Sequence, residues 1–274
     1  MNPAALPVGV FDSGVGGLTV LNALVGALPA ESFVYLGDTA RLPYGTKSPD
    51  TVIRYATRAA ERLVERGIKA LVVACNTASA AALPALRERF AGLPVIGVVE
   101  PGARSACEQS RTGRIAVLAT ESTVAGGAYQ RAIHALRPDA QITALPCQLF
   151  VALAEEGWVS GEVAQAVARR YLQPLLSRPE AAPDTLVLGC THFPVLAPVL
   201  AGVVGPAVQI VDASGAVALA LRELLSQKKL GVGEAGGRPR LELLATDGVE
   251  RFARVGATFL GRPIRPQDVV LVDL

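Results

Sequence analysis

Val187-Leu188-Gly189-Cys190-Thr191-His192 decides the fold, because an earlier stretch of the chain repeats it: Val72-Val73-Ala74-Cys75-Asn76-Thr77. Each joins an apolar pair, a small residue, a cysteine and two polar residues. Ahead of them, Gly9-Val10-Phe11-Asp12-Ser13 and Ala116-Val117-Leu118-Ala119-Thr120 are similarly matched. The simplest reading is two related α/β halves, each presenting one cysteine just after a buried strand. Ligands of open α/β sheets bind outside the carboxyl ends of the strands. Two halves facing each other would bring both cysteines to one shared cleft.

The rest of the chain fits that reading. Short apolar runs at Val8–Phe11, Phe33–Gly37, Ala70–Ala74, Val95–Val99, Ile115–Ala119, Gln141–Leu145, Thr185–Gly189 and Val208–Val211 show little polar alternation. Such runs suit strands buried on both faces of a parallel sheet. Helical stretches lie between them, at Asp50–Glu65, Glu162–Leu176 and Ala213–Gln227. Strand, loop, helix, strand predicts an α/β fold of two similar, pseudo-twofold-related domains with mainly parallel sheets and the active site in the cleft between them. Residues 1–99 with 209–274 form the expected first domain, carrying Asp12 and Cys75. Residues 100–208 form the second, carrying Cys190 and His192. Pro101-Gly102 marks the expected crossing, and 231–239 reads as a loop.

Composition excludes several classes. Of 274 residues, 51% are hydrophobic and 18% charged, which rules out disorder as the main state. A net charge of +2 without a dense basic run argues against nucleic acid as a partner. The most apolar region, Thr185 to Val211, is interrupted by Cys190-Thr191-His192 and by Pro194, Pro198 and Pro206, so it reads as strand, loop and short helix rather than a membrane span. Asp12 lies in the first apolar segment and no positive leader precedes it, so a cytoplasmic protein is expected. The four cysteines contain no C-x-x-C pair, which argues against a metal site and a dithiol motif.

Several motifs could carry chemistry. Asp12-Ser13-Gly14-Val15-Gly16-Gly17 connects a strand to a helix; it reads either as a ligand loop or as a tight turn. It lacks the last glycine of a dinucleotide fingerprint and the Gly-Lys-Ser/Thr of a phosphate loop. The loop from Gly37 to Gly45, with Asp38, Arg41 and Tyr44, is a surface connection or an active-site lip. Cys75 opens a helix, where a thiol pKa is expected to fall. Cys190 has His192 two residues on, and an imidazole there can orient the thiol or hold a substrate. Cys107 and Cys147 lack that setting and read as structural, and His134 as a surface residue. Glu155 is either a solvated helix end or a carboxylate reaching the cleft.

Phe11-Asp12-Ser13-Gly14-Val15-Gly16-Gly17-Leu18, Pro43-Tyr44-Gly45, Ala74-Cys75-Asn76-Thr77-Ala78, Gly97-Val98-Val99-Glu100-Pro101-Gly102 and Leu188-Gly189-Cys190-Thr191-His192-Phe193-Pro194 together closely resemble the glutamate racemase family, from about Val8 to Gly261. The resemblance implies Cys75 and Cys190 as the two catalytic acid/bases, with Cys75 serving D-glutamate and Cys190 L-glutamate. It implies substrate binding by Asp12, Ser13, Tyr44, Gly45, Asn76, Thr77, Thr191 and His192, and auxiliary roles for Glu155 and Thr120. It also implies no cofactor, a cytoplasmic enzyme, and D-glutamate supplied for peptidoglycan; a homodimer is compatible with it. The chain departs from the family's usual pattern at Ala119 and Ser122, where glycines are common, at Thr246-Asp247-Gly248, where Thr-Gly-Asp is commoner, and at Ala152, where proline is frequent.

The chemistry of the residues agrees. Inverting a stereocentre requires a proton removed from one face of Cα and another delivered to the opposite face, and two matched cysteines supply one group for each. A free thiol pKa near ~8.5 is tunable toward neutrality. Rival readings are a two-thiol racemase of aspartate, a pyridoxal-phosphate racemase, a thiol hydrolase using Cys190 and His192, and a sensor of an acidic metabolite. The pyridoxal reading needs an imine-forming lysine, yet Lys47, Lys69, Lys228 and Lys229 all lie outside the strand-end motifs.

Overall fold

The computed structural model describes residues 3–177, 180–231 and 239–274. Its elements, in chain order, are β1 (Val8–Asp12), α1 (Leu18–Ala27), β2 (Phe33–Gly37), α2 (Pro49–Glu65), β3 (Ala70–Val73), α3 (Asn76–Arg89), β4 (Val95–Gly97) and α4 (Val99–Gln109). Then follow β5 (Arg114–Ala119), α5 (Glu121–Gly126), α6 (Ala128–Leu136), β6 (Gln141–Pro146), α7 (Leu149–Glu155), α8 (Gly161–Leu176), β7 (Thr185–Gly189), α9 (Ala197–Val204) and β8 (Gln209–Asp212). The chain ends with α10 (Ala213–Gln227), β9 (Leu241–Ala245), α11 (Val249–Leu260) and β10 (Val269–Leu271).

Among the described residues the strands form two parallel sheets, of six strands in the order β10-β9-β2-β1-β3-β4 and of four in the order β6-β5-β7-β8. Strands β1, β2, β3 and β7 are buried along their whole length. Helices on both faces account for that burial, each contributing an apolar stripe. In α2 the stripe is Val52, Ala56, Ala59, Ala60 and Leu63; the helix is started by Pro49 and by Ser48, whose hydroxyl accepts from the Thr51 N–H. Each Val or Leu so buried contributes about 1.5–3 kcal/mol.

The strand order fixes where a ligand can sit. In the first sheet β1 pairs with β2 on one side and β3 on the other, and in the second β5 lies between β6 and β7. The direction in which successive strands are added therefore reverses at the β1/β3 and β5/β7 junctions, where such sheets open a crevice. Asp12 ends β1 and Cys75 follows β3; Thr120 follows β5 and Cys190 follows β7.

The structure differs from expectation in two places. Gln209–Asp212, assigned from sequence to the first domain, pairs with β7 in the second sheet. Pro101-Gly102 lies in the first turn of α4, the helix between β4 of the first sheet and β5 of the second, where proline's missing N–H costs no hydrogen bond. Strands β9 and β10 were not foreseen; β9 pairs with β2 and carries the C-terminal segment onto the first sheet. The loop expected over 231–239 falls mostly outside the described residues. Thr185–Val211 is strand, short 3-10 turn, helix and strand, and no described helix is long and apolar enough to cross a membrane.

Candidate active site

One cleft between the halves is lined by Ser13, Tyr44, Gly45, Cys75, Asn76, Thr77, Thr120, Glu155, Cys190, Thr191 and His192, with Gln148 and Val151 beside them. Every predicted site residue except Asp12 is on this wall. Asp12 is wholly buried behind it, and its Oδ2 accepts from the Gly14 N–H at 2.9 Å. Its Oδ1 has no hydrogen-bond partner among the described residues. The cavity is about 30 Å³, room for a water or two rather than an amino acid.

Each thiol is held by its own half. Cys75 is the N-cap of α3: its sulfur accepts from the Ala78 N–H at 3.4 Å, and its thiol donates to Ser13 Oγ at 3.4 Å. The helix end does not depress its pKa as the sequence suggests. Burial, with the Asp12 charge behind it, outweighs those bonds and pushes the thiol up to about 12. Cys190 Sγ lies 3.8 Å from His192 Nδ1, and His192 Nε2 lies 3.1 Å from Glu155 Oε1. Burial pulls the imidazole pKa down, but Cys190 and Glu155 more than offset this, and His192 rises to about 10. A positive charge therefore sits beside the Cys190 sulfur at neutral pH. Glu155, partly buried but bonded to His192 and Arg251, falls to about 2. Burial raises Asp12, against the opposing His192 charge and nearby backbone N–H groups.

The halves touch through close, polar contacts. A methyl group on Gly16 would come within 2.4 Å of Thr191 Oγ1 and 2.5 Å of His192 Nδ1, so only glycine lets this loop lie against the second half. Thr77 Oγ1 is 3.0 Å from Thr120 Oγ1 and 3.1 Å from Thr123 Oγ1. The Ser122 hydroxyl lies 2.8 Å from the Gly45 carbonyl and 3.0 Å from that of Lys47; a glycine here would lack both contacts.

Tyr35, Tyr129 and Arg251 support the site and escaped the sequence reading. Tyr35 donates to the Gly14 carbonyl at 2.9 Å, Tyr129 to Asn76 Oδ1 at 2.7 Å, and Arg251 to Glu155 Oε2 at 2.9 Å. Asp38 is wholly buried; its Oδ2 accepts from Tyr44, and its Oδ1 from Arg41 and Thr246. Thr246 and Asp247 thus pin the lip from beneath, with Asp247 N–H donating to Thr39 Oγ1 at 2.9 Å. Tyr129 in a helix and Tyr35 in a buried strand run read from sequence only as apolar positions, and nothing in sequence spacing pairs a tyrosine with Asn76. Cys147 is buried, Cys107 lies part-buried on α4, and His134 is exposed.

Fold and cleft define a two-domain α/β enzyme with a strand-end thiol from each half facing one ligand space. Residues 9–221 match the Asp/Glu/hydantoin racemase family. The chain is 49% identical over 256 residues, 93% of its length and 92% of the relative's, to a glutamate racemase of Geobacter metallireducens. The crystal structure of glutamate racemase from Francisella tularensis in complex with D-glutamate superposes with a TM-score of 0.90 at 35% identity, covering 98% of each chain. That of glutamate racemase from Thermus thermophilus in complex with β-chloro-D-alanine gives 0.86 at 42%, covering 100% of this chain and 99% of that one. The protein belongs to the Asp/Glu/hydantoin racemase family and is an isomerase.

Proposed function

We propose that the protein interconverts L- and D-glutamate without a cofactor, by removing the Cα proton on one face and returning a proton on the other. The observation that carries this reading is that Cys75 and Cys190 occupy matched strand ends and line a single cleft. In the L-to-D direction Cys190 takes the proton and Cys75 gives one. A Cys75 thiol held near 12 is protonated and ready to donate, and the His192 charge lies beside the Cys190 sulfur that takes the proton. In the reverse direction Cys75 must first pass its proton to solvent, and its thiolate then takes the Cα proton while Cys190 gives one.

The carbanion-like intermediate needs its carboxylate held by donors. Ser13, Asn76, Thr77 and Thr191 are the proposed donors, with Tyr44, Gly45 and Thr120 holding the far end of the substrate. His192 and Glu155 steady the Cys190 side. The cellular setting follows from this reading: a cytoplasmic enzyme supplying D-glutamate for peptidoglycan, with which a homodimer is compatible.

The test is solvent exchange. In deuterated water the purified protein places deuterium at glutamate Cα while interconverting the enantiomers with nothing added, and C75S and C190S each abolish racemisation. Near-normal turnover in both variants would overturn the two-thiol reading. Running aspartate in parallel decides between the two acidic substrates.

A further inference from the structure

Tyr129 is the residue that ties one thiol's neighbourhood to the other's. It sits on α6 in the second half, 1% exposed, and its hydroxyl donates to Asn76 Oδ1 at 2.7 Å, next to Cys75 in the first half. The ring carbon beside the hydroxyl-bearing one lies against Gly189, the residue before Cys190: a methyl group there would come within 3.1 Å of Tyr129 Cε2. A methyl group on Gly102, in the helix that joins the halves, would lie 3.2 Å from the hydroxyl. The ring thus fills the space between the two strand ends, with glycines on two sides to admit it.

The hydrogen bond has a chemical consequence. An asparagine amide offers acceptor and donor ends of nearly the same shape, and only its partners decide which end faces where. Asn76 Oδ1 is the only acceptor the buried hydroxyl has among the described residues, so turning the amide would leave the phenol proton unpartnered, and the NH2 group of Asn76 is left for the cleft that Asn76 lines. We propose that Tyr129 is a positioning residue for the racemase reaction, holding Asn76 with its donor end toward a substrate carboxylate. The proposal rests on the glutamate reading given above. Without the hydroxyl, the Asn76 side chain is free to turn its carbonyl toward the anion and repel it.

Steady-state kinetics of Y129F, N76A and the double variant test this, with thermal unfolding alongside. Y129F is expected to raise KM for glutamate by a factor of about 5–10 with a smaller change in kcat, the size expected for one buried hydrogen bond. In the N76A background the same substitution is expected to change KM no further. Wild-type KM in Y129F, or an equal penalty in both backgrounds, overturns the proposal, the second result showing that the tyrosine only fills space. A wild type that racemises no glutamate defeats the functional reading alone. The tie is then judged on the Asn76 side-chain amide resonances, identified by their loss in N76A. Those resonances shift in Y129F if the bond holds the amide and stay in place if it does not.

Discussion

His192 and Glu155 form an ion pair inside the cleft, with Nε2 and Oε1 3.1 Å apart and both side chains largely removed from solvent. The pair stands directly behind Cys190, so its protonation decides whether a positive charge faces that sulfur. The imidazole titrates near 6.5 when free and near 10 in the fold.

Stability should follow from that difference. Between pH 6.5 and 10 the native state holds a proton that the unfolded chain has lost, so unfolding becomes easier as pH rises through this window. The stabilisation is complete below 6.5 and gone above 10. Glu155 contributes oppositely: its share is complete above the free value of 4.5 and is lost as pH falls toward 2. Thermal unfolding of wild type and E155Q at pH 7 and 9 checks this. The wild type is expected to lose more of its midpoint than E155Q across that step, and parallel curves would contradict the coupling.

Arg251 grips the other oxygen of Glu155 from α11, a helix packed on the first sheet, so this bond spans the cleft mouth. Its guanidinium is nearly half exposed, 46%, and water screens it. R251A should therefore cost at most about 1 kcal/mol of stability. The effect on the midpoint should shrink further in high salt. A loss of several kilocalories, or one unchanged by salt, would mean that Arg251 packs rather than pairs.

Much of this arrangement was legible because both devices that build it are local. A buried parallel strand is written as consecutive apolar residues, and the turn that follows it is written in small and polar ones; Val72–Thr77 and Val187–His192 each contain both. What escaped depends on residues brought together only by folding. Leu241-Glu242-Leu243-Leu244-Ala245 has the apolar content of a strand, yet its place beside β2 is set by long-range pairing. The thiol pKa of Cys75 was misjudged because spacing reveals the helix end but not the burial or the Asp12 carboxylate behind it. Ser122 reads as a departure from a glycine pattern, and only the fold shows its hydroxyl against the Gly45 and Lys47 carbonyls.

Asp38 organises the opposite wall. Its carboxylate takes three hydrogen bonds, from Tyr44, Arg41 and Thr246, at a wholly buried position. In D38N one oxygen becomes an NH2 group facing groups that themselves donate, and the Arg41 charge loses its partner. A cost of about 2–4 kcal/mol follows. For a chain of this size that lowers the unfolding midpoint by about 5–10 °C. KM for glutamate should rise as well, since Tyr44 and Gly45 line the cleft from that lip. A D38N protein with the wild-type midpoint would show that the network is dispensable.

Gly16 offers the sharpest separation of site geometry from stability. Its backbone has no left-handed torsion, so alanine fits its local conformation and even restricts the unfolded chain slightly. The obstacle lies entirely across the cleft, where the new methyl would sit 2.4 Å from Thr191 Oγ1 and 2.5 Å from His192 Nδ1. Those contacts are too short to persist. Either the Asp12–Gly17 loop withdraws or Thr191 and His192 swing away, and both shift groups beside Cys190 relative to Cys75. A misplacement of ~1 Å at a reacting centre costs about 100-fold. G16A is therefore expected to lower kcat/KM by at least about tenfold, out of proportion to any fall in the unfolding midpoint. Unfolding and kinetics measured on the same preparation decide it: full activity in G16A would mean that the halves do not close this tightly around the substrate.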